Sequence, residues 1–476
     1  MTSITVEAAT QELQKILAAQ REAYGKNPYP SLQERRASLD KLDAVVRNNV
    51  DLITATLNED FGSRSEDETK IAEILTTLEG IKYYRKRIRR WMKPERRGLG
   101  LMGFPGEATV VHQPLGVIGV IVPWNYPVYL ALGPLLAALA AGNRVMIKMS
   151  EFTPKTGEML KKLLAEVFPE DHVAVINGEL EVATAFSSLP FDHILFTGST
   201  AVGRHIMRAA ANNLTPVTLE LGGKSPAIIG EDYPMKDAVE RIAFGKCFNA
   251  GQTCVSPDYL LCPEQRIDEF VQEFIAQVSA MYPTIVNNPD VTSIINQRQH
   301  DRLQSNLADA EAKGAKIIRV NPANESFENT RKMPYTLVLN VTDEMKIAQE
   351  EIFGPIMLVY GYKTLEEAVA HVNARPRPLA LYYFDWSNER ANYVIAHTHS
   401  GGVCINDTMS HVAIDDLPFG GVGDSGMGQY HGREGFLTFT KPKSVFRKGR
   451  INGTAMLLPP FNRKTHEMVY KFLLKK

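Results

Sequence analysis

From Val117 onward, short apolar runs alternate with stretches of helical spacing, a pattern that few folds satisfy. Helical stretches lie at about 129–141, 154–168, 180–187 and 200–210. The apolar runs, each typical of a buried strand, are Val117–Val122, Val145–Ile147, Val173–Ile176, Ile194–Phe196 and Val217–Leu219. This alternation predicts a parallel sheet with helices on both faces. Such sheets bind ligands in the crevice at the carboxyl ends of their strands, so we expect a binding site there.

A second alternation follows Gly222 and predicts a second α/β unit. Helical stretches at about 236–250, 264–280 and 364–373 alternate there with apolar runs, which are Tyr259–Cys262, Ile356–Tyr360 and Leu379–Phe384. About the first 90 residues are instead predicted to be helical, because their apolar residues recur every three or four positions. These residues are Leu39, Leu42, Val46, Val50, Ile53 and Leu57 in one run and Ile71, Leu75, Leu78 and Ile81 in the next. Ser31 and Glu34 have the spacing of a capping box at a helix start.

The segment from Gln113 to Asn143 contains no charged residue and is longer than the roughly 20 residues that cross a membrane. Pro123, Pro127 and Pro134 would interrupt the hydrogen bonds of a membrane-spanning helix. We therefore interpret this segment as a buried strand, a loop and a buried helix, and we predict no membrane span. The tail beyond Gly449 also lacks an apolar run long enough for an anchor.

Charge and cysteine content limit the possible partners and compartments. The chain has 53 Lys and Arg residues and 54 Asp and Glu residues, a net charge of −1, so we expect no general attraction to nucleic acid. The basic residues of 82–97 could form a phosphate-binding patch. The nearly neutral net charge of the whole chain instead favours a solvated helix face, with Tyr83, Tyr84 and Trp91 packed inward. No signal peptide is visible at the N-terminus. The four cysteines, Cys247, Cys254, Cys262 and Cys404, are too few for a disulfide framework. Together these two features predict a cytoplasmic protein.

Local sequence gives two candidate catalytic residues and one candidate phosphate-binding turn. Cys254 closely follows Gly251, which would let a ligand approach the backbone, although a lone cysteine is usually a small buried apolar residue. Glu220 lies at the end of an apolar strand. We expect its carboxyl group to be half-buried with a raised pKa, as suits a general base. The alternative is that Glu220 is a structural residue in an ion pair. The turn Gly198–Gly203 follows a strand and opens a helix, so it could bind a pyrophosphate or be a plain turn.

Other motifs carry no function. Gly98–Gly103 and Gly421–Gly426 fit the pattern G-x-G-x-x-G, but neither lies between a strand and a helix, so we do not interpret them as dinucleotide fingerprints. No spacing of histidines and cysteines predicts a metal site.

Six motifs, in their order along the chain, resemble those of the aldehyde dehydrogenase superfamily. They are Pro123-Trp-Asn-Tyr-Pro127, Phe196-Thr-Gly-Ser-Thr200, Leu219-Glu-Leu-Gly-Gly-Lys-Ser-Pro226, Gly251-Gln-Thr-Cys254, Glu350-Glu-Ile-Phe-Gly-Pro355 and Pro418-Phe-Gly-Gly421. Further segments are similar to the class 3 branch, and nearest within it to bacterial coniferyl aldehyde dehydrogenases; they are Pro216–Gly223, Gly426–Gly432 and Pro378–Tyr383. The resemblance implies an α/β fold with two doubly wound domains and a small oligomerisation arm.

The resemblance also implies a reaction, the NAD(P)⁺-dependent oxidation of an aldehyde to a carboxylic acid. The substrate would be aromatic or cinnamyl, such as coniferyl aldehyde, or a medium- or long-chain aliphatic aldehyde. Cys254 would attack the aldehyde to give a thiohemiacetal, whose oxyanion the Asn125 side chain and the Cys254 backbone N–H would hold. Glu220 would activate the water that hydrolyses the later thioester.

Cofactor roles follow the same resemblance, residue by residue, with NAD⁺ preferred and NADP⁺ also accepted. Lys148 and Glu151 would bind the adenosine ribose, and Gly198 and Ser199 the pyrophosphate. Glu351 and Phe353 would hold the nicotinamide ribose and ring. The other residues that the motifs assign to cofactor binding are Pro123, Trp124, Phe196, Thr197, Gly203 and Leu221.

The implied domain organisation places an NAD(P)-binding domain at 1–95 and 115–222 and a catalytic domain at 223–418. Residues 96–114 and 437–476 would form the oligomerisation arm and the C-terminal tail. The class 3 resemblance implies a homodimer. Val110 and Val111 are apolar on a thin arm, which favours a partner surface against them. In the tail, Met468, Phe472 and Leu473 are predicted to share one helical face.

Two other functions remain possible for such a chain. An acylating dehydrogenase would release the thioester to coenzyme A, but such relatives commonly lack the glutamate found here at position 220. A catalytically silent binding protein on the same fold is the second alternative, and the presence of Cys254, Glu220 and Asn125 argues against it.

Overall fold

Helices and strands alternate through most of the chain in the computed structural model, which describes residues 6–100, 103, 106–450, 455 and 457–474. A π-helical turn, Lys70–Leu75, joins α4 to α5, and 3₁₀ turns lie at Phe248–Gly251, Glu264–Arg266 and Ser410–Ala413. The α-helices are α1 (Val6–Lys26), α2 (Leu32–Asn48), α3 (Val50–Phe61), α4 (Glu66–Thr69), α5 (Thr76–Trp91), α6 (Tyr129–Ala141), α7 (Pro154–Ala165), α8 (Leu180–Ser187), α9 (Thr200–Ala211), α10 (Met235–Cys247), α11 (Ile267–Met281), α12 (Gln297–Ala312), α13 (Lys346–Gln349), α14 (Leu365–Asn373), α15 (Asn388–His397), α16 (Gly432–Thr438) and α17 (Lys464–Leu474).

The strands form three sheets. In chain order they are β1 (Glu95–Arg97), β2 (Gly106–Pro114), β3 (Val117–Ile121), β4 (Arg144–Lys148), β5 (Val173–Ile176), β6 (His193–Gly198), β7 (Val217–Leu221), β8 (Pro226–Ile229), β9 (Tyr259–Pro263), β10 (Lys316–Val320), β11 (Tyr335–Leu339), β12 (Ile356–Tyr362), β13 (Ala380–Phe384), β14 (Gly402–Ile405), β15 (Gly426–Met427) and β16 (Thr440–Lys448).

The first sheet has the spatial order β15-β7-β6-β3-β4-β5. Its strands are parallel except β15, which pairs antiparallel with β7. Alternate residues of β3 enter two different cores, since Ile118 and Val120 pack on one face and Val117 and Ile121 on the other. Burial on both faces explains why these strands read as continuous apolar runs. The strand order reverses between β3 and β6, where a crevice opens at the carboxyl ends of the strands.

The second sheet has the order β10-β11-β12-β9-β8-β13-β14, and only the β10–β11 pair is antiparallel. The third sheet, β1-β2-β16, is antiparallel and includes most of the predicted arm. Two α/β sheets and a small arm agree with the predicted fold class. The domain boundaries themselves stay a prediction.

The N-terminal helices confirm one predicted feature and correct another. Ser31 and Glu34 form the capping box at the start of α2. In the second helical run, however, Ile71 and Leu75 are 49% and 54% exposed, whereas Glu73 between them is fully buried. The π-helical turn has more residues per turn than an α-helix. Ile71 and Leu75, which a spacing of three to four predicts to be buried, therefore face solvent.

Several strands of the second unit were not predicted. β8 has four residues and begins with a proline, which disfavours a strand, and β11 was missed as well. β10 and β14 lie at the two edges of their sheet, and their half-exposed residues weaken the apolar pattern. The stretch 236–250, predicted as one helix, divides at Phe248 into α10 and a 3₁₀ turn.

The charge-free segment has the structure predicted for it, and the basic run departs from its prediction at Tyr83, which is half-buried rather than packed inward. Residues 117–141 form β3, a loop and the buried helix α6. On α5 the basic side chains lie mostly toward solvent, while Tyr84 and Trp91 pack inward. Within the described ranges, no helix is long and apolar enough to span a membrane.

Two predicted features reach beyond the described residues. The turn Gly98–Gly103 includes residues 101 and 102, which lie outside them, as do 451–454, 456, 475 and 476 of the tail. Most of the rest of the tail forms α17, on which Met468, Phe472 and Leu473 are exposed.

Candidate active site

A cavity of about 310 Å³ lies where the carboxyl edge of the first sheet meets the loops that precede β9 and β12. This volume is within the range of small-molecule pockets. The residues that line the cavity are Pro123, Trp124, Asn125, Thr197, Gly198, Ser199, Glu220, Leu221, Gly222, Cys254, Gln299, Arg302, Glu351 and Phe353. The second sheet thus contributes through loops at the amino ends of its strands, whereas the first contributes at its carboxyl ends.

Cys254 is the cysteine of this chain that reaches the cavity; Cys247, Cys262 and Cys404 are buried elsewhere. It lies after the 3₁₀ turn Phe248–Gly251, on the loop that leads to β9. Burial, together with the nearby carboxyl groups of Glu351 and Glu220, raises the pKa of its thiol to about 12. The backbone N–H groups of Cys254 and Val255 donate toward the sulfur and oppose this rise. At neutral pH the resting group is therefore a thiol.

Glu220 lies on β7, which places its side chain at the cavity wall beside β15. It is fully buried rather than half-buried, and neither carboxyl oxygen has a hydrogen-bond partner among the described residues. Burial raises the pKa of this carboxyl well above its usual value, in the direction that the sequence predicts. An unpartnered buried carboxyl at a cavity wall has the character of a general base and not of an ion-paired structural residue.

Asn125 lies on the loop between β3 and α6, with its side chain buried. Its Nδ2 donates to the Gln252 carbonyl oxygen at 3.1 Å, which uses one of the two amide hydrogens and aims the group toward the Cys254 loop. Its own carbonyl oxygen accepts from Arg64 Nη1 at 2.9 Å and from Asn249 Nδ2 at 3.2 Å. The amide therefore has a fixed orientation at the cavity wall, as an oxyanion donor needs.

Glu351 and Phe353 enter the cavity from the loop before β12. Burial and the neighbouring Asp258 raise the pKa of Glu351 to about 8, while the Gly223 N–H bonds to the carboxylate and lowers it. A Cβ on Gly222 would overlap the Glu351 carboxylate, so a larger residue there would displace that group. Phe353 has a φ of 50°, an uncommon value for a non-glycine residue that is often found at functional sites. Its ring packs edge-on to Trp124 at 5.2 Å.

The turn predicted to bind a pyrophosphate connects β6 to α9. Gly198 and Ser199 line the cavity, and Ser199 caps the first turn of α9 by accepting from the Val202 N–H. The free N–H groups at a helix start favour an anion there. Phe196 and Gly203 lie behind this surface: the Phe196 ring packs against Gly198, and Gly203 packs against Leu221.

Lys148 and Glu151 lie one strand away, at the carboxyl end of β4, outside the cavity lining. The Lys148 side chain is buried and donates to the Met149 carbonyl oxygen at 2.7 Å, whereas Glu151 is exposed. Burial lowers the pKa of Lys148, and the charges of Glu151 and Glu179 oppose that change. The predicted ribose-binding pair therefore lies at the carboxyl edge of the first sheet, and neither residue lines the cavity.

The residues present fit a dinucleotide. They provide helix N–H groups for a pyrophosphate, carboxylates for ribose hydroxyls, and the Trp124 and Phe353 rings beside the cavity for an aromatic ring. Among the described residues no cluster of histidine, cysteine and carboxylate side chains could hold a metal ion.

Several residues around the cavity were not predicted from the sequence. Gln299 and Arg302 lie on α12, whose polar sequence gives little apolar periodicity. The Arg302 guanidinium donates to the Ile352 carbonyl oxygen at 2.6 Å and so supports the loop that contains Glu351. Arg64, Glu68 and Glu73 lie buried beneath the site. Glu68 lies in α4 and Glu73 lies in the π-helical turn, whose i→i+5 hydrogen bonds depart from the α-helical pattern, so a spacing of three to four could not place the two carboxyl groups together.

Comparisons with known proteins agree with this geometry. A model of the aldehyde dehydrogenase family matches residues 2–445. A "Probable coniferyl aldehyde dehydrogenase" of Pseudomonas aeruginosa is 55% identical over 98% of this chain and 97% of its own. The mouse protein "Aldehyde dehydrogenase family 3 member A2", a class 3 relative, is 39% identical over 96% of this chain and 93% of its own.

Solved structures share the fold. The substrate-bound AldH of Staphylococcus aureus superposes with a TM-score of 0.91 at 37% identity, covering 97% of this chain and 99% of its own. An aldehyde dehydrogenase of Mycobacterium tuberculosis, solved with NAD⁺, gives a TM-score of 0.83 at 32% identity, covering 96% of this chain and 92% of its own.

Proposed function

Because this chain belongs to the class 3 branch of the aldehyde dehydrogenase family and oxidises an aldehyde to a carboxylic acid with NAD(P)⁺, we propose that Cys254, Asn125 and Glu220 carry the reaction. One observation supports this assignment above the others. The unpartnered Glu220 carboxyl and the Cys254 thiol line one cavity and lie close enough for the carboxyl charge to raise the thiol pKa. A coenzyme A-acylating reaction has no hydrolytic water for this carboxyl to activate.

Cys254 attacks the aldehyde carbon and loses its proton as the S–C bond forms. A resting thiolate is not available, because the pKa of the thiol is raised to about 12. A carboxylate with a raised pKa is a correspondingly strong base, so Glu220 is suited to accept this proton. The product is a thiohemiacetal oxyanion.

Asn125 Nδ2 and the Cys254 backbone N–H donate to that oxyanion. A donor of this kind typically contributes about 10²–10³ in rate. NAD⁺, when bound, supplies the oxidising power for the step from thiohemiacetal to thioester. Gly198 and Ser199 bind its pyrophosphate, and Glu351, Phe353 and the adjoining residues position its nicotinamide half.

Glu220 first releases to solvent the proton that it took from Cys254 and then, again as a carboxylate, removes a proton from the water that attacks the thioester. The carboxylate is the active form of this base, so hydrolysis slows as the pH falls through its raised pKa. The acid leaves, and Cys254 regains its proton as a thiol.

The cofactor preference depends on Glu151. Its carboxylate can accept hydrogen bonds from the adenosine ribose hydroxyls and repels a 2′-phosphate, which favours NAD⁺. The ammonium group of Lys148 lies nearby and softens that repulsion, so NADP⁺ is also accepted.

The substrate is an aromatic aldehyde of the cinnamyl type, such as coniferyl aldehyde. The name of the Pseudomonas aeruginosa relative supports this choice. Aromatic surroundings also support it, since Tyr126 and Tyr382 contact the residues on either side of Cys254: the Tyr126 hydroxyl lies 2.6 Å from Thr253 Oγ1, and the Tyr382 hydroxyl donates to the Val255 carbonyl oxygen. Such rings suit a planar conjugated substrate.

A steady-state panel of aliphatic, benzyl and cinnamyl aldehydes with each cofactor tests the substrate and the cofactor together. We expect the highest kcat/KM for a cinnamyl aldehyde with NAD⁺, and lower but measurable values with NADP⁺. A higher kcat/KM for aliphatic aldehydes would contradict the substrate assignment. A higher value with NADP⁺ would mean that Glu151 turns away from the ribose.

Assembly and location complete the proposal. The enzyme is a homodimer that forms through the arm, with an NAD(P)-binding domain at 1–95 and 115–222 and a catalytic domain at 223–418. It acts in the cytoplasm, which the four free thiols support, because reduced cysteines are typical of that compartment.

A further inference from the structure

We propose that Arg64, through its ion pair with Glu73, is a positioning residue for aldehyde oxidation. It fixes the loop from Asn125 to Tyr129, so that the Asn125 amide stays aimed at the oxyanion. This inference rests on the function proposed above for Asn125.

Arg64 contacts this loop directly. Its Nη1 donates to the Asn125 carbonyl oxygen at 2.9 Å, and its Nη2 lies 3.0 Å from Glu73 Oε1. Both charged side chains are completely inaccessible to solvent. The guanidinium carbon also lies over the rings of Phe61 and Tyr126, 4.7 Å and 5.1 Å from their centroids. The guanidinium group therefore has little freedom to move.

Glu73 holds the other end of the same loop. Its Oε2 accepts from the Val128 N–H at 2.7 Å and from the Tyr129 N–H at 3.0 Å, which are the first donors of α6. A carboxylate at a helix start satisfies free N–H groups and suits the helix dipole. Arg64 and Glu73 together thus bind both ends of a short segment that contains Asn125.

The same network reaches the loop that carries Cys254. Asn249 Nδ2 donates to the carbonyl oxygens of Asn125 and Gln252, each at 3.2 Å. Glu68 accepts from the Asn249 N–H at 3.1 Å and from Thr292 Oγ1 at 2.9 Å. The Asn125 carbonyl is therefore one of the points at which the two loops of the oxyanion site are joined, and Arg64 is the charged donor to it.

The first test is Arg64→Met, compared with wild type in kcat, KM and thermal unfolding. We expect kcat to fall about 10- to 100-fold, because small misplacements of a catalytic group cost about that much. The KM values for aldehyde and NAD⁺ should change little, since Arg64 touches neither. Arg64→Lys keeps the charge and one donor and should recover part of the lost kcat.

Arg35→Met is the matched control. Arg35 is as deeply buried as Arg64, at 1% exposure, but its Nη1 donates to the Ala140 and Ala141 carbonyl oxygens at the far end of α6. Its loss should lower Tm and leave kcat of the folded protein unchanged. An equal fall of kcat in Arg35→Met would mean a general structural effect and would overturn the inference.

Arg64→Met leaves the Glu73 charge buried without a partner and could fail to fold. The double variant Arg64→Met, Glu73→Gln removes both charges, which proteins usually tolerate better. It lacks the same clamp on Asn125, so its kcat should fall by a similar factor. A folded double variant with wild-type kcat would contradict the inference.

A double-mutant cycle with Asn125→Ala separates this inference from the proposed function. If Arg64 acts through Asn125, Arg64→Met causes no further loss of kcat in the Asn125→Ala background. Full multiplication of the two losses would overturn the inference. Retention of wild-type kcat by Asn125→Ala alone would instead disprove the role proposed for Asn125.

Discussion

At the scale of single residues, the main property of the cavity is that burial acts on a thiol and two carboxyl groups together. It raises the pKa of Cys254 to about 12 and that of Glu351 to about 8, and it raises the pKa of Glu220 well above its usual value. Each charged form is disfavoured by the same low-polarity surroundings and by the other charges. The raised pKa values keep the resting thiol protonated and make the Glu220 carboxylate a stronger base, so the proton leaves the thiol as the sulfur bonds to the aldehyde carbon.

The nucleophile gives the first residue-scale prediction. Cys254→Ala should abolish dehydrogenase activity while NAD⁺ still binds, because the substitution removes only the group that forms the covalent bond. Cys247→Ala is the control, since Cys247 is fully buried in α10 outside the cavity. Activity assays and cofactor titrations check both variants. An active Cys254→Ala variant would refute the assignment.

Sequence alone could predict most of the residues that line the cavity but not those that hold them in place. Cys254, Glu220 and Asn125 lie in short motifs, whose local spacing carries the signal. Arg64 and Glu73 instead gain their meaning from burial beneath a loop far away in sequence, and they come together only when the helices pack.

At the scale of elements, the glycine-rich turn 421–426 supports the strand that carries Glu220. Gly426 of β15 pairs with Glu220 of β7, and the Ser425 carbonyl oxygen accepts from the Leu221 N–H at 3.1 Å. Gly426 has a φ of 149°, and a Cβ there would overlap the Leu219 carbonyl oxygen. The G-x-G-x-x-G pattern of this turn therefore reflects close packing against β7 and not phosphate binding.

Gly426→Ala should consequently displace β7 and with it Glu220. We expect a loss of about 1–3 kcal/mol in the free energy of unfolding, from backbone strain, and at least a roughly tenfold loss in kcat, because a displaced base works poorly. Gly314→Ala is the control: Gly314 also has a positive φ, of 90°, but no atom lies within 4 Å of the added Cβ. It should lose stability and keep its kcat. Equal kcat values for the two variants would contradict this role of the turn.

Element prediction succeeded for long, uniformly apolar runs and failed for the short buried strands β8 and β11 and for partly exposed elements. β3 and α6 were predicted because their residues are apolar on every face. The half-exposed edge strands β10 and β14 were missed, as was the polar helix α12, because their stability depends on neighbours rather than on their own pattern. The π-helical turn was missed because its period is not that of an α-helix.

At the scale of the whole molecule, the arm leaves apolar surface that one chain does not cover. Phe446 on β16 is 53% exposed, and Val110 and Val111 on the adjacent β2 are only partly buried. A second copy of the chain would cover this surface, as the proposed homodimer requires. The number of subunits could not be predicted from the fold, because it depends on this surface and not on the two α/β sheets.

Sedimentation equilibrium should therefore give about twice the chain mass of 53.0 kDa. Phe446→Asp should weaken the dimer, because it would bury a charge in the interface. Leu214→Asp is the control, since Leu214 is 90% exposed on the loop after α9 and should not affect assembly. A stable wild-type monomer with full activity would disprove the dimer, and a tetramer would disprove only its class 3 form.

The most direct test of the mechanism is to trap the thioester on Cys254. Glu220→Gln keeps the size of the side chain but removes the base, so aldehyde and NAD⁺ should give a rapid burst of NADH of about one equivalent per active site, followed by a stall. Intact-mass spectrometry of the stalled enzyme should then find one acyl group, and peptide mapping should locate it on Cys254. Steady turnover without an acyl adduct would contradict the roles proposed for Cys254 and Glu220.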